Sequence, residues 1–339
     1  MDRSRFDCMQ RGNAPAPQQA GRAPARSLGR AGGVLAASDA VGAAFVAGCS
    51  TATMAGIWLS ASELWLAWAA GQALLAVALL QWFVLLHEAG HLTLFRTRTL
   101  NVAAGHLAGL LALIPFESWR RVHGLHHLWT GWQDLDPTTA SLAPRVRGRV
   151  QRAVVDVAWR LWLPLFSVLY RLGNYWNLAR LNRMFPSAGQ RRAVHVNAIV
   201  LAIIYLAVIG MVGPAEMLRL FAVAVLLSLA LQDPLILSQH THIPQRLSAG
   251  HKVTPLSPSE QETYTRSLCC PRLLAYWVLL NFNAHELHHR YAGVPGYRLH
   301  RIEHTQANEV HWWTWLRAAK GLRGSVFLFE NRDSTGFRW

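Results

Sequence analysis

Residues 64–86 read LWLAWAAGQALLAVALLQWFVLL and are followed at once by HEAGH at positions 87–91. The 23 residues of the first stretch carry no charged side chain. As an α-helix they would extend roughly 34 Å, enough to cross the hydrocarbon core of a bilayer. The sequence therefore predicts a membrane-spanning helix that ends in a pair of histidines.

Three further apolar segments are long enough to span a membrane. Residues 40–59 precede the first stretch, separated from it by four residues, and residues 194–212 and 215–237 are separated at Gly213–Pro214. Short connections of this kind join antiparallel neighbours. The predicted fold is an all-α membrane protein with four transmembrane helices in two hairpins.

Shorter apolar segments lie between and after these spans. Residues 104–116 are too short to cross, and we expect them to be re-entrant or interfacial. Residues 153–172 mix charged with large apolar side chains, which predicts one amphipathic helix in the membrane interface. Residues 273–282 are again short and apolar. These segments are predicted to form interfacial helices and a cytoplasmic cap.

The charge distribution predicts an orientation. The chain has 33 basic and 18 acidic residues, a net charge of +15, yet 52% of its residues are hydrophobic. This composition excludes a disordered protein, and no nucleic-acid motif accompanies the charge, so we expect no nucleic-acid partner. Arginines are concentrated in residues 1–33, 96–98, 120–121 and 145–192, outside the hairpin tips. The positive-inside rule places both termini in the cytoplasm, and we expect an integral protein of a bacterial inner membrane.

The organisation along the chain follows from these segments. Residues 1–33 are rich in Arg, Ala and Pro and are predicted to be a disordered cytoplasmic tail. Residues 34–311 are predicted to form the membrane domain, and residues 312–339 a C-terminal cytoplasmic segment.

Histidine clusters follow the apolar segments, on the predicted cytoplasmic side. They read H-E-A-G-H at 87–91, H-G-L-H-H at 123–127, Q-H-T-H at 239–242 and H-E-L-H-H at 285–289. Spacings of three and four place side chains on one face of a helix, as convergence on a metal requires. With 16 histidines in the chain, one H-x-x-H-H pattern is expected by chance only about 0.035 times. The number of histidines exceeds the four to six ligands of one ion, which implies two metals.

These clusters resemble the histidine boxes of the membrane fatty acid desaturase and hydroxylase superfamily, over about residues 60–300. P-F-E-S-W-R-R-V-H-G-L-H-H-L-W-T-G (Pro115–Gly131) is similar to a pattern of acyl-lipid, delta-12-type desaturases, as are Q-H-T-H and H-H-R-Y-A-G-V-P-G-Y (His288–Tyr297). Asn283 and the polar residues 244–272 depart from the family's pattern. The resemblance implies a non-haem di-iron centre with O2 as co-substrate. Its implied catalytic and metal-ligating residues are His87, His91, His123, His126, His127, His240, His285, His288 and His289.

Four other residues are expected beside the ligands. His242 is either a ligand or a hydrogen-bonding neighbour, and we place it in the latter role. Glu88 and Glu286 are either direct ligands or neighbours that orient imidazoles or carry protons, and we place them in the latter role. Asp136, with Asp134, either reaches back to His127 or is an ordinary turn residue.

The implied reaction is O2-dependent desaturation of a long-chain fatty acyl substrate, with electrons from an external donor, expected to be ferredoxin with its reductase. A hydroxylase or ketolase of an alkyl or carotenoid substrate would use the same metals and is the alternative. H-E-A-G-H also matches the H-E-x-x-H signature of zinc proteases, with Glu88 as general base, but the Leu-Asp-Gly of the intramembrane members is absent. A metal transporter would carry ionisable residues inside its spans rather than at their ends.

Overall fold

The computed structural model describes residues 33–143 and 147–338, so the predicted disordered tail lies outside the described residues except for Gly33. The described chain is almost entirely helical. Four helices are long and apolar enough to cross a membrane, which confirms the predicted all-α membrane fold.

The first two spanning helices are α1 (Asp39–Ser60) and α2 (Trp65–Gly90), close to the predicted bounds. They pack tightly because small residues lie at their contact. A Cβ atom added at Gly56 would lie 2.7 Å from Cγ of Leu75, and one added at Gly71 would lie 2.5 Å from the amide nitrogen of Ser60. Since α2 continues to Gly90, the first histidine of H-E-A-G-H lies in its last turn.

The next apolar segment is divided into α3 (Arg98–Leu111) and α4 (Phe116–Trp129), which meet at 103°. Leu113 has a φ of 59° and Pro115 precedes α4, so that the helix cannot continue across the junction. The chain therefore reverses sharply within the segment for which a re-entrant or interfacial course was predicted. The bend places the H-G-L-H-H cluster on α4 beside the end of α2.

The prediction of one amphipathic helix over residues 153–172 is wrong. The structure has α5 (Arg149–Arg160) and α6 (Leu165–Arg171), bent by 115° and followed by a π-helical turn, Leu172–Trp176. Pro164 lacks an amide hydrogen and restricts the residue before it, and Trp162 has a φ of 58°. The exposed Val150, Val154 and Val157 still form an apolar stripe along α5, as an interfacial helix requires.

A short helix, α7 (Leu178–Met184), leads to the second pair of spanning helices, α8 (Ala188–Val212) and α9 (Pro214–His240). Only Gly213 separates them, with a φ of 90° that favours glycine. Helix α9 ends at His240, so this histidine, like His87, lies at the end of a span. Two-thirds of the apolar window of α2 is buried (67%), against 17% for α8, so α2 is the central helix.

Short elements complete the chain. They are α10 (Pro258–Gln261), β1 (Leu268–Cys269), α11 (His285–Arg290), α12 (Gly296–Leu299), β2 (Val310–His311), α13 (Trp312–Gly321), α14 (Gly324–Phe329) and α15 (Arg332–Thr335), with β1 and β2 parallel. A further π-helical turn, Leu274–Val278, lies in the predicted short apolar segment.

The polar segment after α12 contains His300 and His304, which have the spacing of a helical face but do not share a helix. Helix α12 instead ends at Leu299, and Nε2 of His304 pairs with Oε1 of Glu262 at 2.9 Å. His304 is thus held by a tertiary ion pair, in a polar segment that has no apolar stripe for a helix to bury.

Candidate metal centre

Nine imidazoles converge where α2, α4, α9 and α11 meet, and they form two groups. Within each group, the potential ligand atoms all lie within 4.8 Å of one another. Group A comprises His87, His91, His123, His127 and His288; group B comprises His126, His240, His285 and His289. These are the nine residues that the resemblance implied as ligands.

Helix geometry explains how each H-x-x-H-H box contributes to both groups. Neighbouring residues of a helix point about 100° apart, so the two adjacent histidines of a box cannot reach the same ion, whereas residues four apart lie on one face. Accordingly, His123 and His127 of α4 belong to group A and His126 to group B. Helix α11 has the reverse arrangement, with His285 and His289 in group B and His288 in group A.

Oxygen acceptors orient three imidazoles of group B through Nδ1. Nδ1 of His126 lies 2.7 Å from Oδ2 of Asp136, Nδ1 of His240 lies 3.1 Å from the carbonyl oxygen of Tyr264, and Nδ1 of His289 lies 2.9 Å from Oε1 of Gln261. Since these oxygens accept a hydrogen bond, Nδ1 carries the proton and the Nε2 lone pair points inward. This is the usual arrangement of metal-bound histidine.

The inner nitrogens crowd one another as metal ligands do. Nε2 of His91 lies 2.8 Å from Nε2 of His123, and Nε2 of His240 lies 2.9 Å from Nε2 of His285. Nε2 of His87 is buried and has no hydrogen-bond partner among the described residues. A buried polar atom without a partner is costly, and a cation held by these lone pairs removes that cost. The residues therefore fit a pair of nitrogen-ligated metal ions.

The ionisation of the imidazoles outside the spans also suits metal binding. Burial and the neighbouring imidazoles lower the pKa of His91 to about 3 and hold the pKa of His123 and His288 well below the usual range. A metal can bind only the deprotonated ring. These histidines are thus neutral at pH 7 and have lone pairs available.

Two of the four predicted neighbours contact the centre. Asp136 contacts His126 rather than His127. Burial acts to raise the pKa of Asp136, but His126, His240 and the amide of Thr138 together outweigh burial and lower it. Oε1 of Glu88 lies 3.2 Å from Nδ1 of His87, and its Oε2 accepts hydrogen bonds from Thr93 and from the amide of Gly296.

The other two predicted neighbours lie outside both groups. Nε2 of His242 lies 2.8 Å from Oγ1 of Thr335, in the C-terminal segment. Oε1 of Glu286 accepts a hydrogen bond from the amide of Asn308 at 2.9 Å, and burial raises the pKa of Glu286 to about 7. Asp134, the residue considered with Asp136, binds Ser248 instead.

Sequence reasoning missed three neighbours of the histidines. Gln261, which binds His289, also donates from Nε2 to the carbonyl oxygen of His127 at 2.8 Å. Oγ1 of Thr138 lies 3.0 Å from Nδ1 of His126. The third is the carbonyl of Tyr264, described above. None lies in a recognisable motif; only the closeness of Thr138 to Asp136 in the sequence could have pointed to it.

A narrow apolar cavity reaches both groups. It has a volume of 40 Å³, and its lining includes His87 and His123 of group A and His126, His240 and His285 of group B. The ring of Trp119 stacks on His123 at a centroid distance of 4.3 Å and also lines this cavity. Because Trp119 is buried, it forms a wall of the cavity and does not anchor the protein at a membrane interface.

A second, larger cavity of 490 Å³ continues outward from the first. The two share Leu142, Phe166, Tyr170 and Leu237. The two imidazole groups thus lie at the inner end of a mostly apolar passage. An alkyl chain is the kind of ligand that such a passage accommodates.

Comparison with known proteins identifies the family. The family model described as "Fatty acid desaturase" matches residues 63–316. A fatty acid desaturase of Bacillus subtilis is 26% identical over 272 residues, covering 76% of this chain and 73% of the relative. An sn-1 oleoyl-lipid 12-desaturase of Picosynechococcus is 30% identical over 141 residues, covering 40% of this chain and 38% of the relative.

Two plant relatives differ in the electron donor that their names contain. An sn-2 acyl-lipid omega-3 desaturase (ferredoxin) of Helianthus annuus is 24% identical over 256 residues, 72% of this chain and 56% of the relative. An acyl-lipid omega-3 desaturase (cytochrome b5) of Arabidopsis thaliana is 22% identical over 269 residues, 75% of this chain and 66% of the relative. The chain thus spans less than two thirds of the length of these two relatives and of the Picosynechococcus protein. The predicted resemblance is confirmed: the chain belongs to the fatty acid desaturase family, and it is a membrane oxidoreductase.

Proposed function

We propose that this protein introduces a double bond into a long-chain fatty acyl substrate, using O2 and two iron ions held by groups A and B. The observation that carries the proposal is the position of the two imidazole groups at the inner end of an apolar passage. An alkyl chain in this passage would place its nonpolar C–H bonds next to both ions.

Iron is favoured over zinc by the reaction that the passage serves. Imidazole binds several metals, so ligand type does not choose among them. Removing hydrogen from unactivated carbons requires a redox-active metal, and zinc has no redox chemistry. The protease reading of H-E-A-G-H is also disfavoured, because the carboxylate of Glu88 binds Thr93 and Gly296 and is not available as a general base.

The bound irons would supply the reduction of O2 to two waters. Two of the four electrons come from the acyl chain, whose adjacent carbons each lose one hydrogen as a C=C bond forms, and two come from an external donor together with two protons. The protein's own residues would hold the reactants. Asp136, Gln261 and the carbonyl of Tyr264 would keep three ligand rings oriented, and Trp119 would confine the chain beside His123.

We propose ferredoxin, with its reductase, as the electron donor. Exposed arginines such as Arg183, Arg192 and Arg301 give the protein a positive surface, and an acidic carrier would be steered towards it. Ferredoxin and cytochrome b5 both occur in the names of relatives. Comparison of turnover with each donor, at low and at high salt, tests this choice.

We also propose that the metal centre and both termini face the cytoplasm of a bacterial inner membrane. The asymmetric distribution of arginine supports this orientation. Labelling of single cysteines introduced beside Gly213 and beside Arg290, in intact cells and in inverted vesicles, tests it.

The decisive experiment is lipid analysis of a host that expresses the protein with a ferredoxin system. A new double bond supports the proposal. A hydroxyl or keto group would instead favour a hydroxylase or ketolase on the same scaffold. Purified protein should contain close to two irons per chain, whereas predominant zinc after anaerobic, iron-replete expression would contradict the metal assignment.

A further inference from the structure

The larger, outer cavity differs in character from the inner one. Its 490 Å³ are lined mainly by apolar residues, as the inner cavity is, but its lining also contains a set of charged and amide side chains. The polar part of the lining includes Arg147, Gln151, Asn174, Arg180 and Asp233. An alkyl chain alone would not need this polar region, so the cavity suits an amphipathic ligand.

One edge of the outer cavity opens on an exposed apolar surface. Leu163 and Leu169 line the cavity, and their relative exposures are 53% and 58%. Leu163 lies at the bend between α5 and α6, and Leu169 lies in α6. An amphipathic ligand can therefore enter from the acyl layer and keep its polar end near the membrane surface.

Two arginines hold the opposite ends of one short segment of the cavity wall. Nη2 of Arg180 donates to the carbonyl oxygen of Pro137 at 2.8 Å, and Nη2 of Arg147 donates to that of Ser141 at 2.6 Å. The guanidinium of Arg147 also lies 4.1 Å from the centroid of the Phe329 ring. Both guanidinium groups are thereby held in place at the cavity before any ligand binds.

The charge of this lining favours an anion. Arg180 makes its other hydrogen bonds to Gly173 and Asn174, and among the residues that the structure describes no carboxylate forms an ion pair with it. Among the lining residues that the structure describes, Asp233 is the one acid, and its Oδ1 accepts a hydrogen bond from the amide of Ser167 at 2.7 Å. With two arginines, the formal charge of these described residues is 2 − 1 = +1.

We propose that the outer cavity binds the anionic head of the acyl substrate, with Arg147 and Arg180 on either side of it. The acyl chain then runs past Tyr170 to the metal centre, and this part of the inference rests on the proposed function. The head is a phosphate or a carboxylate, because a guanidinium binds both through paired N–H donors.

Part of the wall comes from outside the family match. Leu328 and Phe329 of α14 line the cavity, whereas the match ends at residue 316. The amide of Ser325 donates to Oδ1 of Asp156 on α5 at 2.7 Å, which attaches this segment to the interfacial helix. The choice of head group is thus partly set by the chain's own C-terminal segment.

Binding measurements on the purified, iron-loaded protein in detergent test the inference without turnover. The probes are palmitoyl lysophosphatidate, palmitate and monopalmitoylglycerol, which share one chain and differ in the head. The wild type should bind one of the anionic probes about tenfold more tightly than the neutral probe. The anionic probe that binds more tightly shows whether the site prefers phosphate or carboxylate. Inorganic phosphate added as a competitor should not displace a probe, because the protein also binds the probe's acyl chain.

Variants separate a contact with the head from a structural role. Arg147→Gln and Arg180→Gln should each remove most of the anionic preference and leave binding of monopalmitoylglycerol unchanged, while Arg180→Lys should restore part of it. Arg183→Gln is the matched control, because Arg183 lies on the same helix as Arg180 but is exposed outside the cavity. Iron content reports whether each variant is correctly folded.

Two outcomes would overturn the inference. One is an unchanged preference for the anionic probe in both glutamine variants. The other is an equal loss of affinity for all three probes in variants that keep their iron. Desaturation is measured separately on the same samples. Lack of a double bond in a protein that still prefers the anionic probe would reject the proposed reaction but retain the head-group site.

Discussion

Oδ2 of Asp136 lies 2.7 Å from Nδ1 of His126, and both side chains are buried. This contact joins the turn after α4 to the imidazole groups, because it fixes the ring through which α4 reaches group B. The same turn also forms part of the cavity wall, because the carbonyl oxygen of the next residue, Pro137, accepts a hydrogen bond from Arg180.

Asp136→Ala should lower iron affinity roughly 10- to 100-fold, as expected when the acceptor behind a ligand histidine is removed. Iron per chain after dialysis against a graded chelator series measures the effect. Asp134→Ala is the matched control, because Asp134 belongs to the same turn but binds Ser248. Equal iron retention in the two variants would show that Asp136 does not orient the ligand.

Replacement of one histidine from each group should separate the two ions. His288→Ala removes a ligand of group A and His126→Ala one of group B, so each should reduce the iron content towards one per chain and abolish activity. His300→Ala serves as the control, since His300 lies outside both groups and its ring contacts Tyr276. Iron loss in the control would contradict the assignment of the ligands to groups A and B.

The spanning helices could be predicted because their signal is local, and the set of nine histidines could be predicted because their boxes resemble those of a known family. A single uncharged stretch such as residues 64–86 satisfies its backbone hydrogen bonds in a bilayer by forming a helix. Within an H-x-x-H-H box, helix geometry then sets the directions of the histidine side chains. Gln261 could not be predicted, because it reaches His289 from 28 positions away in a polar segment without a pattern. Pro164 indicates the bend after α5, but the apolar composition continues across the bend and favours a single helix.

Gly90→Ala should displace Trp119 from the metal centre. An added Cβ at position 90 would overlap Cζ3 of Trp119, whose ring stacks on His123. Such overpacking costs about 1–3 kcal/mol. We expect a lower Tm and a loss of activity greater than the loss of iron. Gly124→Ala is the control, because nothing lies within 4 Å of its added Cβ. It should leave activity and iron content unchanged and should leave the Tm unchanged or raise it slightly.

Removal of metal should destabilise the protein measurably. The nine imidazoles bring their lone pairs together in the folded state only, so a bound metal stabilises that state by roughly 4 kcal/mol when its concentration is a thousand times its dissociation constant. Thermal unfolding before and after chelation should show a fall in Tm of several degrees. Ferrous iron should restore the Tm and magnesium should not, because magnesium prefers oxygen ligands. An unchanged Tm after complete iron removal would argue against ligation by these histidines.

Gly324→Ala should detach the C-terminal segment from α5. An added Cβ would lie 2.6 Å from Cβ of Trp159 and 2.7 Å from the carbonyl oxygen of Val155, so α14 cannot stay packed where it is. The stacked pair of Trp159 and Phe327, with centroids 4.7 Å apart, would then separate.

The consequence is specific to the outer cavity, because Leu328 and Phe329 form part of its wall while no residue of α14 belongs to the metal groups. Gly324→Ala should therefore raise the KM for the acyl substrate and increase hydrogen exchange over residues 320–335, with iron content unchanged. Gly321→Ala is the control, since a Cβ at position 321 meets nothing within 4 Å. If faster exchange left KM and product distribution unaltered, the C-terminal segment would be a covering of α5 and not a wall of the substrate site.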